Sequence, residues 1–114
     1  MANTLYHNPR CSKSRQAKQL LEDKDIEFET REYLKNPLSE KELKSLLSSL
    51  AINAHDLLRT KEAEYKELKL SKDSSETDII EAMIKAPKLM ERPIVVTSKG
   101  ARIGRPTDAI LEIL

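Results

Sequence analysis

A single cysteine, Cys11, stands in 114 residues, so the chain cannot close an internal disulfide. Any redox chemistry at that thiol must take its second sulfur from another molecule. There is no tryptophan, and the two histidines, His7 and His55, are too far apart to make a zinc set with one thiol. With only two glycines, both near the C-terminus, there is no glycine-rich phosphate loop. No apolar run approaches the roughly eighteen residues of a membrane span, and Met1 to Arg10 lacks the apolar core of a signal peptide; a soluble cytoplasmic protein is expected. Charge of one sign is also missing. Lys and Arg number 20 against 19 for Asp and Glu, a formal charge of +1, which gives no electrostatic reason to expect nucleic acid or an anionic membrane as partner. The length suits one domain, spanning 1–114, that folds without metal or disulfide.

What is present centres on Tyr6 to Arg15, YHNPRCSKSR. Thr4 to His7 has the residues of a short strand, Asn8-Pro9 signals a turn, and from Ser12 the chain reads as helix. Cys11 therefore falls at a helix start, where free N–H groups and the positive end of the dipole favour thiolate over thiol. With Arg10, Lys13 and Arg15 nearby, its pKa is expected to drop from about 8.5 into the range of roughly 3.5 to 7.5. Such a sulfur is a nucleophile at neutral pH.

The helix after Cys11 carries Ala17, Leu20 and Leu21 on one face and closes at Asp23-Lys24-Asp25. Ile26, Phe28 and Thr30 alternate with Glu27, Glu29 and Arg31, which predicts a strand covered on one face. The crossover between the two strands is long enough for a helix, so the default is a right-handed parallel βαβ unit. Asn36-Pro37 breaks the chain. Ser39 and Glu42 form a capping box for a helix with a Leu43, Leu46, Leu47, Leu50 stripe. Short surface helices are expected across Ile52 to Lys72. Ser75 and Asp78 repeat the capping pattern ahead of a helix whose apolar face is Ile80, Met83 and Ile84, stopped by Ala86-Pro87. Pro93 precedes Ile94-Val95-Val96-Thr97, a β-branched run suited to a buried strand; Ser98-Lys99-Gly100 turns it back into Ala101 to Ile103. Gly104-Arg105-Pro106 then leads into a closing helix with Ile110, Leu111 and Leu114 on one face. The order is β-α-β, a helical insertion of about 37–90, then β-β-α.

That order, with a helix-start cysteine and a proline entering the third strand, is the pattern of an α/β thioredoxin-like fold with a mixed four-stranded sheet. His7-Asn8-Pro9-x-Cys11-x-x-Ser14-Arg15, Leu57-Leu58-Arg59, Arg92-Pro93-Ile94-Val95-Val96-Thr97 and Arg105-Pro106 together resemble the glutaredoxin-dependent arsenate reductases of the ArsC family. The likeness runs from Thr4 to the C-terminus. It implies a cis peptide before Pro93, a nucleophile at Cys11, and three oxyanion-holding arginines at Arg59, Arg92 and Arg105. It further implies arsenate as substrate, glutathione as co-substrate, glutaredoxin as partner, and no bound cofactor or metal. Ser14 stands where dithiol thioredoxins carry their second cysteine, so it can offer only a hydroxyl hydrogen bond, to the sulfur or to a helix N–H. His7, when protonated, would further stabilise the thiolate.

The chemistry agrees with the resemblance. Arsenate near neutral pH is a tetrahedral dianion, and guanidinium groups present permanently charged, paired donors to such oxygens. A thiolate meeting a dianion needs cations and helix N–H groups to offset repulsion. By default an arginine is a solvated or ion-paired surface group, and Arg10, Arg15, Arg31 and Arg102 are read so. His55 is read as structural or solvent-facing. With Ala17 six residues after Cys11, the Cys-x5-Arg loop of phosphatase-like arsenate reductases is missing. Two other functions fit the fold: a regulator resembling Spx, which binds RNA polymerase and uses a Cys-x-x-Cys redox switch that Ser14 prevents here, leaving polymerase binding without redox control, and a glutathione-linked thiol protein acting on another substrate. Arg10, Ser12 and Lys13 replace smaller or neutral residues of the reductases; the added charge either lowers the thiol pKa further or widens anion preference.

Overall fold

A computed structural model describes residues 3–114. They divide into two compact units, one running to Asn36 and resuming from Arg92 to Leu114, the other spanning Pro37–Glu91.

The first unit is built on a four-stranded sheet in the order β2-β1-β3-β4. Strand β1 is Thr4–Tyr6, β2 Glu29–Arg31, β3 Ile94–Thr97 and β4 Gly100–Ile103. Helix α1, Ser12–Asp23, makes the crossover from β1 to its parallel neighbour β2, with Leu5 opposite Thr30. β3 runs antiparallel to β1, with Val95 opposite Leu5, and β4 returns antiparallel to β3. This is the expected mixed sheet. Leu5, Ala17, Leu21, Val95, Ile110 and Ile113 form the buried core, joined at its edge by Leu20, Ile26, Phe28 and Leu114. Ala17 and Leu21, one turn apart, put the inner face of α1 into that core.

Helix α1 stops in a Schellman motif. Asp25 adopts a left-handed φ of 55°, its N–H donates to the Glu22 carbonyl, and the Ile26 N–H reaches back to Leu21. That turn takes up residues the alternation had given to a strand: the ladder begins only at Glu29, and Thr30 is exposed. Among the described residues β2 is an edge strand bonded to β1 alone, so Ile26 and Phe28 reach the core before the ladder starts rather than from within it.

Gly100 takes a φ of 137°, which side-chain-bearing residues rarely adopt, and starts β4 one residue earlier than expected. The closing segment, Thr107–Ile113, is a 3₁₀ helix rather than an α-helix. With three residues per turn it turns Ile110 and Ile113 inward, and leaves Leu111 exposed. It is tied to the hairpin by Thr97, whose hydroxyl donates to the Ile113 carbonyl at 2.7 Å, and by an Arg102–Glu112 ion pair at 2.7 Å.

The second unit carries helix α2, Glu40–Leu50, α3, Ala63–Glu67, and α4, Glu76–Lys85, with 3₁₀ turns at Ala54–Leu57 and Pro87–Leu89. The capping box at α2 is complete: Ser39 Oγ accepts from the Glu42 N–H at 3.2 Å, and the Ser39 N–H donates to Glu42 Oε1 at 2.9 Å. Ser39→Ala should therefore cost about 1 kcal/mol in urea denaturation, with the denaturant slope unchanged. Leu43, Leu46, Leu47 and Leu50 are all buried, as their spacing predicted. At α4 only half of the expected box forms, since Ser75 accepts from the Asp78 N–H but no reciprocal bond makes it a capping box. The buried face of α4 is Ile79, Ile80, Ala82 and Met83, and Ile84 lies outward. An isolated antiparallel bridge pairs Leu58, just after the first 3₁₀ turn, with Met90 near the end of the unit, flanked by the Arg59 N–H on the Leu89 carbonyl and the Glu91 N–H on that of Leu57.

Candidate active site

Cys11 is the N-cap of α1, with the extended backbone of that position, and is 8% exposed. The loop that delivers it is held by its own short polar groups. The Cys11 N–H donates to the Asn8 carbonyl at 2.9 Å, the Arg10 N–H to Asn8 Oδ1 at 3.1 Å, and the Arg15 guanidinium to the Pro9 carbonyl at 3.0 Å. Ser14 is fully buried, and its Oγ accepts from the Asn8 N–H at 3.3 Å, which leaves its proton available to the sulfur.

Burial is the largest single influence on the Cys11 thiol and pushes its pKa up. It is outweighed by the Ser14 N–H, the positive charge of Arg92, the Lys13 N–H and the Ser14 hydroxyl, so the net shift is downward. No hydrogen bond of capping geometry joins the sulfur to the first turn, yet these donors stand close enough to favour the anion. A pKa lower in the folded chain means that the unfolded chain binds more protons between the folded and ordinary thiol values. Stability then rises with pH through that window and is lost as pH falls through the folded value. Absorbance of the thiolate at 240 nm should titrate below a free-cysteine control. The gain in urea stability across the window should vanish in Cys11→Ser; a titration at or above the control would contradict the helix-start argument.

Arg105 reaches the same sulfur from 94 residues along the chain, its Nη2 at 3.8 Å from Cys11 Sγ. Its Nε donates to the Arg92 carbonyl at 2.8 Å, so the two arginines are clasped through backbone and side chain. Arg92 itself is half-buried, and its Nε has no hydrogen-bond partner among the described residues. Both arginines precede cis prolines, Arg92-Pro93 as the resemblance implied and also Arg105-Pro106.

His7 follows β1, donates its backbone N–H to the Arg31 carbonyl at 2.9 Å and is 5% exposed. Burial lowers its pKa; Lys18 and Arg15 lower it further, against the opposing pull of Glu32. The ring is therefore neutral at neutral pH, and the cationic support expected from a protonated His7 is confined to acid. Arg59 belongs to the Pro37–Glu91 unit. There its Nη1 lies 2.6 Å from Glu62 Oε2 and its Nε 3.5 Å from Glu91 Oε1, so two carboxylates already match its charge. Arg102 pairs with Glu112 and takes no part in the cluster, as its default reading had it. In the first unit the structure thus gathers Cys11, Ser14, Arg92 and Arg105.

The model of the ArsC family matches residues 6–113. The chain belongs to the ArsC family. It is 51% identical over 112 residues to a protein of Escherichia coli K12 named uncharacterized protein YfgD, with 96% of this chain and 94% of that one covered. It is 41% identical to the arsenate reductase of Haemophilus influenzae over the full length of both. Among solved structures it resembles the arsenate reductase from Vibrio cholerae, with a TM-score of 0.94 and 45% identity over 98% of this chain and 97% of that one. The sheet of this ArsC chain is therefore the thioredoxin-like one expected. No helix among the described residues is long and apolar enough to cross a membrane, and no three of their His, Cys, Asp and Glu side chains group to hold a metal.

Sequence reasoning missed Asn8 as the organiser of the nucleophile loop, although an Asn-Pro turn with an Asx bond to residue i+2 is a legible signal. It also missed the clasp between Arg105 and Arg92, for which no local signal exists.

Proposed function

We propose that this ArsC-family protein is a cytoplasmic arsenate reductase that uses glutathione and glutaredoxin, works through a thiol-arsenate adduct on Cys11, and carries no bound cofactor. The observation that carries the reading is the 3.8 Å approach of the Arg105 guanidinium to the sulfur of the residue at the N-cap position of α1, a thiol whose pKa is lowered. Fixed cations beside a thiolate suit an oxyanion substrate and offset its repulsion from the nucleophile. The names of the full-length relatives support arsenate as that oxyanion.

In this reading the Cys11 thiolate forms an S–As bond while one As–O bond breaks, the oxygen leaving as water once protonated. Arg105 and Arg92 hold the remaining oxygens. Glutathione adds its sulfur to arsenic in place of a second oxygen, again lost as water. A glutaredoxin thiol then attacks the glutathione sulfur. The As–S bond to glutathione breaks with its electron pair passing to arsenic, which falls from the pentavalent to the trivalent state. Glutaredoxin leaves as the mixed disulfide. Hydrolysis of the Cys11–As bond frees arsenite and restores the thiol. Two electrons reach arsenic and two thiols are oxidised to one disulfide, so the lone cysteine suffices. Ser14 cannot supply a second sulfur, and its hydroxyl serves the Asn8 loop and the thiolate instead.

The test is arsenate-dependent NADPH oxidation coupled through glutathione reductase, glutathione and glutaredoxin. Turnover that needs all of these together supports the reading, and a rate with arsenate no greater than without it rejects the reading.

A further inference from the structure

Gly104 sits between the two arginines of the site, and what it lacks is what matters. It is buried, its N–H donates to the Pro93 carbonyl at 2.8 Å, and its φ lies outside the range that demands glycine. Space demands it instead. A Cβ built at residue 104 would lie 2.8 Å from Pro93 Cγ, with Pro93 Cδ and Ile110 Cγ2 next at 3.6 Å. The atom in the way belongs to a ring closed on its own backbone and itself buried, so it cannot swing aside as the end of a flexible chain would. A methyl group there would part the turn carrying Arg105 from the turn carrying Arg92 and Pro93. Two hydrogen bonds span that seam, Gly104 N–H to the Pro93 carbonyl and Arg105 Nε to the Arg92 carbonyl, both 2.8 Å. The second fixes the guanidinium whose Nη2 stands 3.8 Å from Cys11 Sγ.

We propose that Gly104 is the positioning residue that sets how closely Arg105 reaches the Cys11 sulfur, the space of its missing side chain being taken by the Pro93 ring. The proposal rests on reading Cys11 as a nucleophile for an anion, but its test needs no arsenate. Iodoacetate and iodoacetamide alkylate the same thiolate and differ in charge, so the ratio of their rates cancels thiolate population and reports the cationic field at the sulfur. Measured where the thiol is fully ionised, the ratio should fall about tenfold in Arg105→Ala, an effect of the size expected when a charge a few ångströms from the sulfur is removed in a partly screened site. Gly104→Ala should lower it in the same direction, and Gly104→Ala/Arg105→Ala should fall no further than Arg105→Ala alone. A wild-type ratio in either single variant, or additive losses in the double, overturns the proposal. If Gly104→Ala shows no cooperative melt, the comparison moves to Pro93→Ala and Pro93→Ala/Gly104→Ala. With the ring gone the added methyl has room, so equal ratios support the proposal and a lower ratio in the double variant overturns it. The expected falls in the ratio, found in a protein with no arsenate turnover, would count against the proposed function alone.

Discussion

Cys11→Ser is expected to reduce arsenate-dependent NADPH oxidation to that of the coupled system without the protein, a loss on the order of 10³-fold or more. The argument is chemical before it is structural. A serine hydroxyl stays protonated at neutral pH, and the surroundings of Cys11 favour the anionic form of a thiol without supplying a base strong enough to ionise an alcohol: the nearest imidazole in sequence, His7, is buried with its pKa lowered. The side chain remains small and polar and sits at an N-cap, where serine is well accepted, so far-UV circular dichroism and the melting temperature should hold. Retained turnover in a folded Cys11→Ser protein would sink the nucleophile assignment.

The arginines supply the second large effect. Arg92→Ala and Arg105→Ala should each lower kcat/KM for arsenate by roughly 10² to 10³-fold, as when a donor aimed at developing negative charge is removed. Arg102→Ala should change it by no more than about twofold, since that side chain spends its charge on a part-exposed pair with Glu112. The two site variants should also differ from each other. Arg92 provides charge that lowers the Cys11 pKa, so its loss should raise the pH at which the thiol is alkylated. Arg105 gives up a contact to the sulfur itself. Equal losses in Arg92→Ala and Arg102→Ala would undo the choice of residues.

Where sequence reasoning succeeded, the signals were short in range. The Ser39–Glu42 box, the leucine stripe of α2 and the Ile94–Thr97 strand each depend on residues within a turn or two of one another. Where it went astray, tertiary context chose between near-equal local options. Ile110, Leu111 and Leu114 read as one α-helical face, but the segment that closes over Leu5 and Val95 winds as 3₁₀ and buries Ile113 in place of Leu111. Ile84 fits the apolar period of α4 yet ends up exposed, while Ile79 and Ala82 go inside. The sequence reading gives His7 a part only when protonated, and burial lowers its pKa, an effect that composition cannot display.

By itself the sequence determined that the one cysteine stands at a helix start, because strand, Asn-Pro turn and helix start are decided by neighbours a few residues apart. It also determined, through four motifs in order, the family to which the chain belongs. Which cation touches the sulfur was decided only by the tertiary structure: Arg105 and Cys11 are 94 positions apart, and their meeting depends on how β3 and β4 pair and on a proline ring filling the space above a glycine. Contacts of that range are set by packing, which is a property of the folded whole and not of any stretch of the chain.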